Sequence, residues 1–132
     1  MMTCWLIDDN EIDLLITRKL IKTWQPTLTI QEFSNAQVAL DKLDNQEEPP
    51  QLIFLDLFMP EISGYDFLDH YQQFNFPNTL LYVLSSSIDD ADIDRVRTYP
   101  MVNGYLSKPI GKESLERIIA SRREVHSEEL ER

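Results

Sequence analysis

A single cysteine, Cys4, excludes any internal disulfide in this chain of 132 residues. Within the apolar run "CWLI" a lone thiol reads as a packed side chain, not a reactive one. Long hydrophobic runs are scarce too. The longest purely apolar stretches reach four or five residues, against the roughly 20 that a helix needs to span a bilayer. The opening "MMTCWLIDD" has neither the basic start nor the apolar length of a signal peptide. The sequence is therefore expected to be soluble and cytoplasmic, with no membrane partner. Basic residues are few, 12 Lys and Arg against 23 Asp and Glu, for a formal charge of −11. Phosphate backbones are held by surplus cations, so direct nucleic-acid binding is not expected. Three glycines and seven prolines are scattered between periodic segments, with no low-complexity tract, repeat or linker.

Apolar residues make up 42% of the chain, enough to close one substantial core, and the expectation is a single domain over residues 1–132. Apolar segments of strand length fall at 4–7, 28–33, 52–55, 80–84 and 104–106. Helical spacing falls between and after them. It is carried by Ile12, Leu15, Ile16, Leu20 and Trp24; by Ala36, Ala39, Leu40 and Leu43; by Phe67, Leu68 and Tyr71; weakly by Ile93 and Val96; and by Leu115, Ile118 and Ile119. Pro26, Pro49, Pro50, Pro77 and Pro100 punctuate the joints. Strict alternation implies an α/β fold, a parallel sheet with helices on both faces. The third and fourth strands are apolar throughout and belong at its centre, whereas "LTIQEF" suits an edge. The acidic run "DDADID" at 89–94 reads most simply as carboxylates at the positive N-terminal end of a helix, ahead of an acidic docking patch.

In open parallel sheets ligands sit outside the carboxyl ends of the strands. There the first strand delivers Asp8 and Asp9, the third Asp56, the fourth Ser85, and the fifth Ser107, Lys108 and Pro109. Singly, Asp8, Asp9 or Asn10 reads as a helix cap, Ser85 as a cap for the fourth helix, and Lys108 as a surface charge. Asp56 is harder to dismiss, because a carboxylate after four apolar residues is costly unless compensated. Three acids brought together would repel unless a cation joined them. A small hard cation such as Mg²⁺ suits oxygen ligands of this kind. With Lys108 and the Ser85 hydroxyl opposite, the rim would suit a phosphoryl group.

The segments "LIDDN" at 6–10, "LDLFMPEISG" at 55–64, "LSSS" at 84–87 and "YLSKP" at 105–109 resemble the receiver domain of two-component response regulators, the CheY-like family. One such segment is weak evidence; four in order, each at its strand end, are specific, and the resemblance spans essentially the whole chain. It implies the strand order 2-1-3-4-5. It also implies Asp56 as phospho-acceptor, taking its phosphoryl group from a sensor histidine kinase or histidine phosphotransfer protein. Mg²⁺ (or Mn²⁺) would be bound by Asp9 directly, by Asp8 mainly through water, and by Asp56 and the Phe58 carbonyl. Lys108 and Ser85 would hold the phosphoryl oxygens. Tyr105, which alone reads equally as a core aromatic, would turn inward behind Ser85. Met59, Pro60 and Gly64 would shape the loop, and the Lys108–Pro109 bond would be cis. Output would pass to a downstream protein through the face of the fourth helix, fifth strand and fifth helix, as a population shift.

Two departures matter. Ser85 stands where threonine is frequent and keeps the hydroxyl. Phe58 puts an apolar side chain two residues past the acceptor, beside the path of a hydrolytic water. Phe58→Asn is therefore expected to speed loss of the phosphoryl group. Equal decay rates for the labelled wild type and variant would refute this.

A haloacid-dehalogenase-like phosphatase also uses a strand-end aspartate, but it needs a second Asp where Phe58 stands. A receiver-like module that is never phosphorylated is the other alternative, and nothing in the sequence recommends it. After Lys112 the chain leaves room for one helix, with the last eight residues a solvated extension or frayed end. With no effector domain in view, a stand-alone receiver, a relay intermediate and a fragment of a larger regulator all remain open.

Overall fold

Strand and helix alternate five times along the chain: β1 (Thr3–Ile7), α1 (Glu11–Trp24), β2 (Thr29–Phe33), α2 (Ala36–Asp44), β3 (Leu52–Leu55), α3 (Gly64–Tyr71), β4 (Leu80–Ser85), α4 (Asp90–Val96), β5 (Val102–Ser107) and α5 (Lys112–Glu131). The computed structural model describes residues 2–45, 48–86 and 88–131, with side chains through residue 122. All strand pairs are parallel and the order is β2-β1-β3-β4-β5, as the sequence leads one to expect. Reversal of strand order between β1 and β3 opens the crevice in which such sheets bind ligands.

Burial follows chemistry. All four residues of β3 are buried at the sheet centre, whereas β2, with its polar Gln31 and Glu32, takes an edge. Side chains alternate across the pleat and divide the core in two. Ile7, Ile53, Leu55, Leu81 and Val83 meet α2, α3 and α4 on one face. Cys4, Leu6, Leu52, Phe54 and Leu84 meet α1 and α5 on the other. Cys4 is fully buried, and that burial pushes its thiol well above the ordinary range, as expected of a packed sulfhydryl. Among the described residues no helix is long and apolar enough to cross a membrane.

The periodic residues of α2, α3 and α5 are the ones that pack inward. In α1 the periodicity selects the inward face only in part, since Leu20 and Trp24 pack against the core but the residues it picks in the first turn and a half do not. Leu14, Thr17 and Ile21 are buried, while Ile12, Leu15 and Ile16 are 69%, 40% and 44% exposed. A helix apolar over more than half its circumference cannot bury it all against one sheet face. Leu14 and Ile21 face β1 and α5, Leu20 and Trp24 pack partly against the same core, and Ile12, Leu15 and Ile16 are left in solvent. The run at 89–94 does open a helix: Asp89 caps α4 and shares a capping box with Asp92. Ser85 is therefore not the cap. α5 extends to Glu131, and the expectation of a solvated final eight residues falls on side chains outside those described.

Candidate functional site

Backbone pairing brings the rim together. The Asp8 N–H donates to the Phe33 carbonyl and the Asp56 N–H to the Ile7 carbonyl, each at 2.9 Å, so both aspartates leave the sheet side by side as continuations of the β1 ladders. The Lys108 N–H donates to the Ser85 carbonyl at 3.0 Å, and the Lys108–Pro109 peptide that follows is cis. Asn10 caps α1, its Oδ1 accepting from the N–H groups of Ile12 and Asp13 at 3.0 Å. Such a cap is worth about 1 kcal/mol. It also releases Asp8 and Asp9 from the capping role that each could fill alone.

One oxygen from each of Asp8, Asp9 and Asp56 lies within 4.8 Å of the others. Asp8 and Asp56 are buried, and Asp9 is the most accessible. Lys108 Nζ, its side chain 10% exposed, donates to Asp8 Oδ2 at 2.5 Å and stands 3.8 Å from Asp56 Oδ2. Burial disfavours its charge, but its bonds to Asp8 and Asp13, with Asp56 nearby, outweigh that and raise its pKa. Asp56 is pushed from 3.8 up to about 6, first by burial and then by the Asp8 charge, against the lowering effect of Lys108, the Ser85 hydroxyl and the Phe58 N–H. The Ser85 hydroxyl is fully buried and makes no hydrogen bond of good geometry among the described residues. Leaving a buried hydroxyl unmade costs about 1–3 kcal/mol, which an acceptor entering the site would recover.

These groups open into a cleft of about 610 Å³ lined by Asp9, Asn10, Asp13, Asp56, Phe58, Ser86 and Lys108. Phe58 is 49% exposed at its mouth, beside Asp56. The loop between β3 and α3 is drawn tight by the Gly64 N–H donating to the Leu57 carbonyl at 2.9 Å. It turns through Glu61, whose φ of 65° lies in the left-handed region. Met59 of this loop is buried, and Pro60 is exposed. Tyr105 is half-buried on β5, with the Arg97 guanidinium 5.9 Å over its ring.

The donor set fits a hard divalent cation. It offers only oxygens, clustered, with one carboxylate raised toward protonation by its surroundings, a state that a cation relieves. Asp8, Asp9, Ser85 and Lys108, the strand-end residues from which the sequence builds a site around Asp56, reach this rim. Tyr105 lies on the flank, and Pro109 is exposed beyond it. Asp13 is the site residue that sequence reasoning misses. Its Oδ2 accepts from Lys108 Nζ at 2.9 Å. Its position one turn past Asp9, just inside a capped helix, is a signal available only once the cap is assigned to Asn10.

Comparison with known proteins agrees with this arrangement. The family profile described as "Response regulator receiver domain" matches residues 4–120. A two-component response regulator of Oryza sativa subsp. japonica, ORR41, is 26% identical over 120 residues, covering 91% of this chain and 93% of its own length. The sensor histidine kinase CheAY of Helicobacter pylori is 31% identical over 114 residues, and the match takes in 86% of this chain but only 14% of that protein. Among solved structures, a two-component response regulator from Cytophaga hutchinsonii superimposes with a TM-score of 0.84 at 25% identity, over 94% of this chain and 98% of its own.

Proposed function

Because the chain belongs to the response regulator receiver domain family, and so is a phospho-accepting signalling domain rather than a conventional enzyme, we propose that Asp56 is its acceptor. The observation that carries this reading is the meeting, at one rim, of a buried reactive-range carboxylate, an acidic pair, an ammonium and an unpartnered hydroxyl. With a pKa of about 6, about nine in ten Asp56 side chains are ionised at pH 7. A carboxylate oxygen then attacks phosphorus, the bond from phosphorus to the donor imidazole nitrogen breaks, and the imidazole leaves with the electron pair. Mg²⁺ or Mn²⁺, held by Asp8, Asp9, Asp56 and the Phe58 carbonyl, supplies charge neutralisation for the phosphoryl oxygens when bound. Lys108 donates to one of those oxygens and Ser85 to another. Met59, Pro60 and Gly64 hold the acceptor loop, and Pro109 holds Lys108 at its turn. The same residues catalyse both gain and loss of the phosphoryl group.

The acyl phosphate shifts a population rather than driving a reaction. Engagement of Ser85 favours an inward Tyr105 and a second arrangement of the α4–β5–α5 face, which a downstream protein selects. α4 and the turn after it are tied to α3, where the Tyr65 hydroxyl donates to Asp92 and the Tyr99 hydroxyl to Asp69, each at 2.6 Å.

A donor must bring its phosphohistidine to Asp56, and the exposed Ile12, Leu15 and Ile16 form an apolar stripe on α1, the helix whose Asp13 lines the cleft. This stripe suits the helix bearing the histidine of a kinase or phosphotransfer protein. Ile16→Asp is expected to slow transfer from a phosphorylated histidine protein at least about tenfold, the scale of one buried apolar contact at an interface. Labelling by acetyl phosphate should stay within about twofold, since a small donor needs no docking surface. Equal losses with both donors would remove α1 as the docking surface.

The reading as a whole is tested by incubating the protein with acetyl phosphate and Mg²⁺. One added phosphoryl mass on Asp56, absent in EDTA, is the expected result. No added mass would favour a receiver-like module that is never phosphorylated, and continuous turnover of p-nitrophenyl phosphate would favour a phosphatase.

A further inference from the structure

Lys108 is held by a carboxylate that no strand end supplies. Asp13, on the first turn of α1, accepts from Nζ at 2.9 Å, alongside the Asp8 bond at 2.5 Å. Asp56 Oδ2, at 3.8 Å, lies beyond hydrogen-bond reach. An ammonium carries three N–H donors, so two are committed to Asp8 and Asp13, and one remains for whatever occupies the gap to Asp56. Asp13 is not among the carboxylates that converge closely enough for one cation.

Resting on the acceptor reading above, we propose that Asp13 is a positioning residue for Lys108, drawing the ammonium back from Asp56 and keeping open the gap that an incoming phosphoryl oxygen fills. Its neighbours show why such a residue is needed. Asp8 Oδ1 already accepts from the Asn10 N–H at 2.9 Å and its Oδ2 from Lys108, so a cation drawing on Asp8 weakens the hold of Asp8 on the ammonium. Asp13 keeps its grip, because its own N–H is fixed by the Asn10 cap. Without it, Asp8 and Asp56 are the anions left to Lys108 among the described residues. A largely buried ammonium whose N–H is freed turns to the carboxylate it does not yet bond, which is Asp56. It would then occupy the oxygens of Asp56 that must attack phosphorus and bind the cation.

A crystal structure of Asp13→Ala is expected to show Lys108 Nζ within hydrogen-bond distance of Asp56, and an unmoved ammonium would overturn the proposal. Labelling by acetyl phosphate and Mg²⁺ should slow about tenfold in Asp13→Ala, the scale of a small misplacement of a catalytic group. Asp13→Asn, which keeps an acceptor oxygen, should recover part of that loss. In a Lys108→Ala background the Asp13→Ala step should cost less than about twofold, because the group it positions is gone. The same loss in both backgrounds, or none in either, would overturn the proposal. A wild type that takes no phosphoryl group at Asp56 would defeat the acceptor reading alone, with the Asp13→Ala crystal structure still deciding the role of Asp13.

Discussion

Replacing Asp56 by Asn is expected to abolish phosphoryl uptake and, in the absence of metal, to make the protein more stable than the wild type at neutral pH. The first effect follows from losing the anionic oxygen proposed to attack phosphorus. The second follows from burial, which raises the Asp56 carboxyl from 3.8 to about 6. Below about pH 4 that carboxyl is neutral in folded and unfolded chains alike and carries no penalty. Between about pH 4 and 6 the unfolded chain ionises first, so stability falls across this window. Above it the folded protein keeps a charge it solvates poorly. At full weight the shift corresponds to about 3 kcal/mol, and water at the open cleft mouth reduces this to about 2 kcal/mol. Asn carries no such penalty. Urea unfolding in EDTA should show the variant ahead by about 2 kcal/mol at pH 7.5 and level with wild type at about pH 3.5. Added Mg²⁺ should stabilise wild type more than the variant, since binding to the folded state adds to its stability. A variant that is no more stable at pH 7.5, or that still gains a phosphoryl mass, would refute the account of the site.

Gly64→Ala is expected to be the most damaging single methyl in the molecule. A Cβ at residue 64 would stand 2.4 Å from the Asp56 carbonyl oxygen and 2.6 Å from the Leu57 Cα. Both obstacles are backbone, so no rotamer change relieves them. The loop must open, and the bond from the Gly64 N–H to the Leu57 carbonyl goes with it. Overpacking of this kind costs about 3 kcal/mol. Because the displaced backbone is that of Asp56 itself, phosphoryl uptake should fall by at least about tenfold as well. Gly111→Ala is the control, since its nearest new contact is the Ser114 hydroxyl at an ordinary 3.8 Å. Urea midpoints and acetyl phosphate labelling of the two variants would check both effects. A Gly64→Ala protein as stable and as reactive as Gly111→Ala would show that the loop does not depend on this close approach.

Where sequence reasoning succeeded, local pattern and global architecture obey the same constraint. β3 is four apolar residues followed by Asp56 because a central parallel strand is covered on both faces and then emerges at the ligand edge. The alternation of strand and helix was legible for the same reason. α1 was partly misjudged because period alone cannot say which side of a helix, apolar over most of its girth, meets the sheet. β5 begins at Val102 rather than at 104 because of an irregularity opposite Leu81 and Tyr82, where the Asn103 side chain accepts from the Leu81 N–H at 2.8 Å. That compensation is between strands and leaves no mark within either.

By itself the sequence determined the fold class, the central and edge strands, and the carboxylates, hydroxyl and lysine that arrive at one rim, because strand ends in a parallel sheet share a single edge whatever the packing. Only the tertiary structure decided which acids serve which partner. Asn10 takes the cap, Asp8 and Asp13 take the hydrogen bonds of Lys108, and Asp56 is left raised, with the ammonium 3.8 Å away, since distances between side chains on different elements depend on register and helix rotation, which no local periodicity encodes.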